Sequence, residues 1–533
     1  MNGPSTAGDQ HNVVLTGFMG TGKTTVGRLL AADLGYEFVD TDEMIEQRHG
    51  PIAQIFGTRG EEGFRLIERE LAAELASRTG LVISTGGRMM LDPANVRALS
   101  ANGRVFCLVA TPEEVFERIT DDRSPIERPL LKVPDPRQRI VELMAERDPD
   151  YRRFPQLVTD TRTPHEVSLD LQAVVSAAPR TYDIDEPGGR YPFVVGAGLL
   201  PFVGQLAGIE GPIVVVTDDQ VGALYLPSCG DVDLEIRIPP GRDRKSLRAV
   251  EHVYDALLDA DVDRSATIVS LGTSVVGDIA GFVAATYLRG VDLVHCPTNL
   301  IAMIDTSIGG KVGLDRPQGR NLVGLFKQPK AVVADVATLQ TLAPRELASG
   351  MAEVVKHGLI AGSDLLSQIE AEDWALLDNA LPGALGRLQA LVAQAIQVKI
   401  AIVQEDPFEN GRRAVLNLGH TFAYAIEHTT AGEVNHGEAV GIGLVAAARL
   451  SERTGLAKPG LADHVESLVT RVGLATGLAE QIPPATLLDA MRRDKKRRGN
   501  RLRFVLLRDV GDAFVTDTIT PDDLLPVLAS LNP

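Results

Sequence analysis

Cysteine and aromatic side chains are scarce in this 533-residue chain: three Cys, one Trp and an aromatic share of 5%. Cys107, Cys229 and Cys296 are odd in number, far apart and in no CxxC pair. That spacing argues against a disulfide framework and for apolar thiols in a reducing compartment. Positive charge is in the minority, with 53 Lys+Arg against 71 Asp+Glu and a net charge of −18. Nucleic acid is thereby disfavoured as a general partner. No unbroken run of about 18 apolar residues occurs, so no membrane partner is expected. The opening MNGPSTAGDQ lacks the basic and then apolar regions of a secretory signal. A cytoplasmic α/β protein of more than one domain is the expectation.

Residues 12–172 alternate short β-branched runs (VVLTG, LVIST, VFCLVA) with helical patterns, the rhythm of a parallel sheet with helices on both faces. SAAPRTYDIDEPGGRYP, rich in Pro and Gly and without periodicity, reads as a linker over 176–192. The rhythm restarts at FVVGAGLL and PIVVVTDDQ and gives a second α/β unit over 193–343. From 344 to 533 strand signals nearly vanish and long apolar-periodic stretches predict a mainly helical unit, with a late strand at RLRFVLL. The first unit takes 1–175.

VVLTGFMGTGKTT carries GxxxxGK[ST] between a strand and a helix. Gly17, Gly20 and Gly22 let backbone N–H groups wrap phosphates at a helix N-terminus; Lys23 reaches the outer phosphates, and Thr24, followed by Thr25, meets Mg²⁺. Asp40 and Asp42 in FVDTDEMIE are expected on one side of a strand end by period two. Arg65 (EEGFRLIE), Gly86 and Gly87 (STGGR), Arg128 (ERPLL) and Arg147 (ERDPDY) follow. In this order they make residues 12–172 resemble a shikimate kinase. The resemblance implies ATP with Mg²⁺. It also implies Asp42 at the acceptor hydroxyls, Arg65 and Arg147 on the acceptor carboxylate, Asp40 supporting the metal and Arg128 on the transferring phosphoryl group.

Three of the ten histidines crowd into LNLGHTFAYAIEHTTAGEVNHGEAV. His420 and His436 are too far apart for HExxH, and a third zinc ligand should be a distant acid. Glu353 in RELASGMAEVVKHG is the candidate, with Lys356 one turn on; His357, also one turn on, is a weaker candidate ligand. SLGTSVVGDIAGF has the strand, glycine turn and helix start of a pyrophosphate cradle. With VVGDIAGFVAATYLRG, DTSIGGK, GMAEVVKHG, LNLGHTF and HGEAV in order, residues 191–533 resemble a 3-dehydroquinate synthase.

That resemblance implies NAD⁺ and Zn²⁺ or Co²⁺ and the metal ligands Glu353, His420 and His436. It implies cofactor contacts at Asp218, Lys245, Gly272, Thr273, Ser274, Asp278, Thr298, Asp305, Lys311 and Arg320. Catalytic or substrate-site groups are implied at Lys311, Asn321, Lys356, Lys399, Arg413, Asn417 and Tyr424, and phosphate binding at Lys495 and Lys496. Arg289 matches an arginine that crosses the interface of a homodimer. His428 matches no ligand.

Several positions depart from the families' usual pattern. Arg88 stands where the kinases have a third glycine. Thr273 and Ser274 replace glycines, Arg320 replaces a lysine, Gln220 an asparagine and Tyr424 a histidine. Arg242 replaces an acid near the adenosine, which opens NADP as an alternative cofactor. A bifunctional enzyme of aromatic precursor synthesis is expected. Alternatives are a kinase fused to another sugar-phosphate cyclase or to a non-catalytic synthase-like unit.

Overall fold

The computed structural model describes residues 11–121, 131, 133–176, 179–238, 245–362, 364–371, 374, 384–492 and 502–533. Arg128, Arg242, Lys495 and Lys496 lie outside the described residues.

The N-terminal strands are β1 (Asn12–Thr16), β2 (Glu37–Asp40), β3 (Leu81–Ser84), β4 (Gly103–Val109) and β5 (Gln156–Val158). All pair in parallel in the order β2-β3-β1-β4-β5. β1 is buried along its whole length, as an unalternated apolar run must be when helices cover both faces. Its two neighbours come later in the chain, so the order switches beside it and leaves a crevice at its C-terminal end. The phosphate loop sits there.

The second sheet holds β6 (Arg180–Glu186), β7 (Gly189–Gly196), β8 (Ile213–Asp218), β9 (Leu234–Ile238), β10 (Thr267–Gly272) and β11 (Asp292–Pro297). After the hairpin β12 (Lys311–Arg316) and β13 (Gly319–Phe326), β14 (Ala331–Asp335) completes it, in the order β6-β7-β14-β11-β10-β8-β9. Beyond it the described residues form helices and one hairpin, β15 (Phe504–Asp509) and β16 (Asp512–Thr516).

The linker expected over 176–192 is corrected. β6 pairs antiparallel with β7 through seven positions, from Arg180↔Val195 to Glu186↔Gly189, so the Pro-Gly cluster is the turn of a hairpin. β6 is an edge strand on which only Ile184 is fully buried, so it carries almost no apolar alternation to read.

The two halves pack as one body. One continuous core joins Leu15, Val26 and Leu171 of the N-terminal unit to Phe193, Ile396 and Val355 beyond it. Arg104 on β4, 9% exposed, donates to Val174 O (3.0 Å), Val175 O (3.1 Å) and Ala197 O (2.7 Å). It thus satisfies the carbonyl end of the helix Pro164–Ser176 and ties it to the loop after β7. Gln340 mimics a strand neighbour at β5, accepting from Gln156 N at 2.8 Å and donating to Gln156 O at 2.9 Å. Among the described residues one helix, Ala384–Glu405, has the length and apolarity to cross a membrane, and 61% of its apolar window is buried in the fold. It interrupts its apolar residues with Arg387 and Lys399, which is why no unbroken run marks it in the sequence.

Candidate active sites

At the first site, Gly17, Gly20 and Gly22 all have positive φ (133°, 78° and 90°), which curls the loop after β1. A Cβ on Gly17 would run into the Leu108 carbonyl, so only glycine closes this turn. Lys23, Thr24 and Thr25 open the helix Lys23–Leu34. Lys23 Nζ donates to Gly17 O (3.0 Å) and Phe18 O (2.9 Å) and so lies over the loop that phosphates would fill. Thr24 Oγ1 donates to Asp40 Oδ2 at 2.8 Å, uniting the two groups expected at Mg²⁺.

Asp40 ends β2, but Asp42 does not share its strand: it lies in the first turn of the helix Thr41–His49, which Asp40 caps through Asp42 N (3.1 Å). The period-two placement is therefore corrected, because a capping aspartate stops the strand there. Burial, reinforced by the charge of Asp40, pushes the Asp42 carboxyl up to about 6 against the pull of Lys23 and Arg65.

Arg65, on the long helix Ile52–Ala76, donates to Glu68 (2.6 Å) and Glu61 (3.2 Å). Gly86 N donates to Thr41 Oγ1 at 2.9 Å, and Gly87 O accepts from Arg147 (3.4 Å) and Tyr151. Arg147, 4% exposed, also lies over the Phe18 ring at 5.3 Å. Asp42, Arg65 and Arg147 thus converge on the Gly86–Gly87 turn beside the phosphate loop. Glu61, Glu68 and Tyr151, which contact or share partners with these arginines, lie within the quoted EEGFRLIE and ERDPDY but were not singled out.

At the second site, Glu353 comes from the helix Pro344–Ala361, while His420 and His436 open the helices His420–Thr429 and His436–Arg453. Glu353 Oε1 lies 3.5 Å from His420 Nε2 and 3.6 Å from His436 Nε2. One ligand atom from each falls within 4.8 Å of the others. The far ring nitrogens are engaged: His420 Nδ1 by Leu418 O (3.0 Å), His436 Nδ1 by Glu427 Oε1 (2.8 Å). Such outer contacts fix ring orientation and turn both Nε2 atoms inward, as a metal requires. Glu353 is 1% exposed and forms an ion pair with Lys356. The donor set of one carboxylate and two imidazoles fits an open zinc-type site. Burial opposes a charge on His436, but Glu353 and Glu427 win and raise it to about 9, so this basin favours a cation.

Asp305, Glu353 and His357 form a second possible ligand group. Lys399 meets Asp305 there at 2.5 Å and Lys356 meets Glu353, so two ammonium groups already supply the positive charge. Burial, followed by the Lys356 charge, lowers His357 to about 3, so it is neutral.

Around these ligands the expected polar groups are paired internally. Lys311 meets Glu409, whose other oxygen accepts from Asn417 at 3.0 Å, and Arg320 meets Glu427. Arg413, buried, donates to Gly309 O at 3.2 Å; a Cβ on Gly309 (φ 89°) would collide with that guanidinium. On the cofactor side, β10 ends at Gly272, and Thr273 and Ser274 begin the helix Ser274–Thr286. Asp278 pairs with Lys245 (2.5 Å) and accepts from Gly313 N (2.8 Å), while Lys245 also reaches Asn321 (2.5 Å). Thr298 N donates to Gly272 O at 3.0 Å, and Asp218 caps the helix Asp219–Tyr225 through Val221 N at 2.9 Å. A narrow crevice is lined by Gly272, Thr273, Ser274, Asp278 and Lys311.

Arg289 is exposed at a kink where Leu288 and Arg289 both have positive φ. Tyr424 stacks on His428, ring centroids 6.2 Å apart and nearly parallel.

Comparison with known proteins decides the family. The shikimate kinase model matches residues 19–176, and the N- and C-terminal 3-dehydroquinate synthase models match 235–349 and 350–497. The 3-dehydroquinate synthase of Symbiobacterium thermophilum is 42% identical over 62% of this chain and 95% of its own. The chain belongs to the 3-dehydroquinate synthase family and carries a shikimate kinase domain. The synthase of Caulobacter vibrioides is 43% identical, covering 64% of this chain and 95% of its own. Among solved structures, a 2-epi-5-epi-valiolone synthase from Streptomyces hygroscopicus, with NAD⁺ and Zn²⁺ bound, aligns with a TM-score of 0.59 at 26% identity, covering 66% of this chain and 99% of its own. The chain thus combines a kinase with a lyase-type cyclase.

Sequence reasoning missed Glu409 and Glu427 in the synthase half. Glu427 lies two helical turns after His420, a spacing that could have marked it. Glu409 has φ 58°, a left-handed conformation that no sequence pattern announces.

Proposed function

We propose that the kinase domain phosphorylates shikimate to shikimate 3-phosphate. The observation that carries this is Asp42, held near a pKa of 6 between the phosphate loop and the Arg65–Arg147 pair. ATP with Mg²⁺ supplies the phosphoryl group when bound to residues 17–25 and Asp40. Arg65 and Arg147 hold the acceptor carboxylate as planar forks, and Asp42 accepts the proton of the attacking hydroxyl. A coupled assay of ADP formation tests this: formation should require shikimate and Mg²⁺, and Arg147→Ala should raise KM for shikimate at least tenfold. ADP formation independent of shikimate would oppose it.

For the synthase half we propose cyclisation of 3-deoxy-D-arabino-heptulosonate 7-phosphate to 3-dehydroquinate with phosphate release. Glu353, His420 and His436 would hold the Zn²⁺ or Co²⁺, which would supply Lewis-acid polarisation. The turn Gly272–Ser274 would receive NAD⁺, which would supply reversible hydride acceptance. Lys311, Lys356, Lys399, Arg413, Asn321 and Asn417 bind a substrate bearing both carboxylate and phosphate, and the cation density favours it over uncharged polyols. Lys356, buried against Glu353, keeps its proton, because the Glu353 and Asp305 charges outweigh burial. It therefore serves as a hydrogen-bond donor to substrate oxygen. The exposed Arg289 is the residue offered to a second copy in a homodimer, and the cytoplasm is the proposed location.

A further inference from the structure

At the first site a third guanidinium stands beside the pair expected from the sequence. Arg88 follows Gly87 and donates through Nη1 to Glu61 Oε1 at 3.1 Å. The same Glu61 oxygen accepts from Arg65 Nη2 at 3.2 Å, so one carboxylate oxygen holds two arginines across the mouth of the acceptor site. Arg88 also acts on Arg147, whose pKa is lowered by burial first and then by the Arg88 charge among others. Three cations therefore surround the Gly86–Gly87 turn that Asp42 faces.

The two carboxylates that hold them differ. Glu68 is 2% exposed and locked at 2.6 Å on Arg65. Glu61 is 55% exposed and lies one residue beyond Gly60, whose φ of 67° breaks the helix Ile52–Ala76. An exposed ion pair next to a backbone break is held weakly and can rotate away at little cost.

We propose that Arg88 is an acceptor-carboxylate contact of the kinase domain, and that Glu61 is the counterion it and Arg65 release when the acceptor binds. This deepens the kinase reading and rests on it. Glu61 then occupies, in the free enzyme, the electrostatic role that the acceptor's carboxylate takes over. Arg88 adds a third positive charge beside the Gly86–Gly87 turn and so selects for anionic acceptors.

Steady-state kinetics of the full-length chain test the proposal, with synthase turnover in each preparation reporting the folded fraction. Arg88→Gly is expected to raise KM for shikimate about tenfold, the loss of one charge-assisted hydrogen bond, with kcat and KM for ATP within about twofold. Arg88→Lys recovers part of the loss. Raising ionic strength weakens acceptor binding more in the parent than in Arg88→Gly. Glu61→Gln, with the counterion removed, lowers KM for shikimate about two- to threefold. Unchanged acceptor KM in Arg88→Gly would overturn the role of Arg88. A raised KM in Glu61→Gln would overturn the release step and make Glu61 a positioning residue for Arg65. Absence of shikimate-dependent ADP formation in the parent would instead overturn the kinase reading.

Discussion

Four cations of the proposed synthase site each meet a carboxylate: Lys356 with Glu353, Lys399 with Asp305, Lys311 with Glu409, Arg320 with Glu427. Glu427 has two tasks, because it also orients His436 through Nδ1 at 2.8 Å. Glu427→Gln should therefore lower metal affinity about 10- to 100-fold, read from metal content after dialysis, while ADP formation stays unchanged. The Asp42 carboxyl gives a pH prediction with a defined sign. In the proposed reaction its ionised form accepts the proton, and burial beside Asp40 raises its pKa to about 6, so kinase kcat should fall as pH drops through about 6 rather than near 4. Asp42→Asn should cost about 10²- to 10⁴-fold in kcat and flatten that acid limb in a pH–rate profile.

At the scale of elements, the phosphate loop was legible because its chemistry is local. Glycines, lysine and threonine at fixed spacing form the turn, and β1 and the helix Lys23–Leu34 only hold it. Gly17→Ala should abolish ATP binding in a nucleotide-displacement titration, since φ 133° and the Leu108 carbonyl leave no place for a methyl group. The grouping of Glu353 with His420 and His436 was legible through ordered motifs, not spacing, since they meet only when three helices converge. The edge strand β6 was not legible: its seven residues expose nearly every side chain, and the Pro-Gly turn beside it imitates a linker. Asp42 falls on a helix, not on the strand its spacing predicts, because the cap at Asp40 turns the chain from strand to helix within one residue.

The whole molecule is less divisible than its two families suggest. A shared core, the Gln156–Gln340 pair and Arg104 join the halves, and a buried guanidinium serving three carbonyls cannot be removed without leaving them unpaired. We expect the halves to melt in one calorimetric transition, and Arg104→Ala to cost about 2–4 kcal/mol and to split or lower that transition. The two sites are proposed to hold different metals on different residues, so they should be separable chemically. The most direct test is phosphate release from 3-deoxy-D-arabino-heptulosonate 7-phosphate by the purified chain with NAD⁺. It should be run before metal stripping, after it, and after adding back Zn²⁺ or Co²⁺. The expected result is release that stripping abolishes and either ion restores, while shikimate-dependent ADP formation with Mg²⁺ continues throughout. Release that survives stripping, or none with metal restored, would contradict the assignment of Glu353, His420 and His436 as the catalytic metal site.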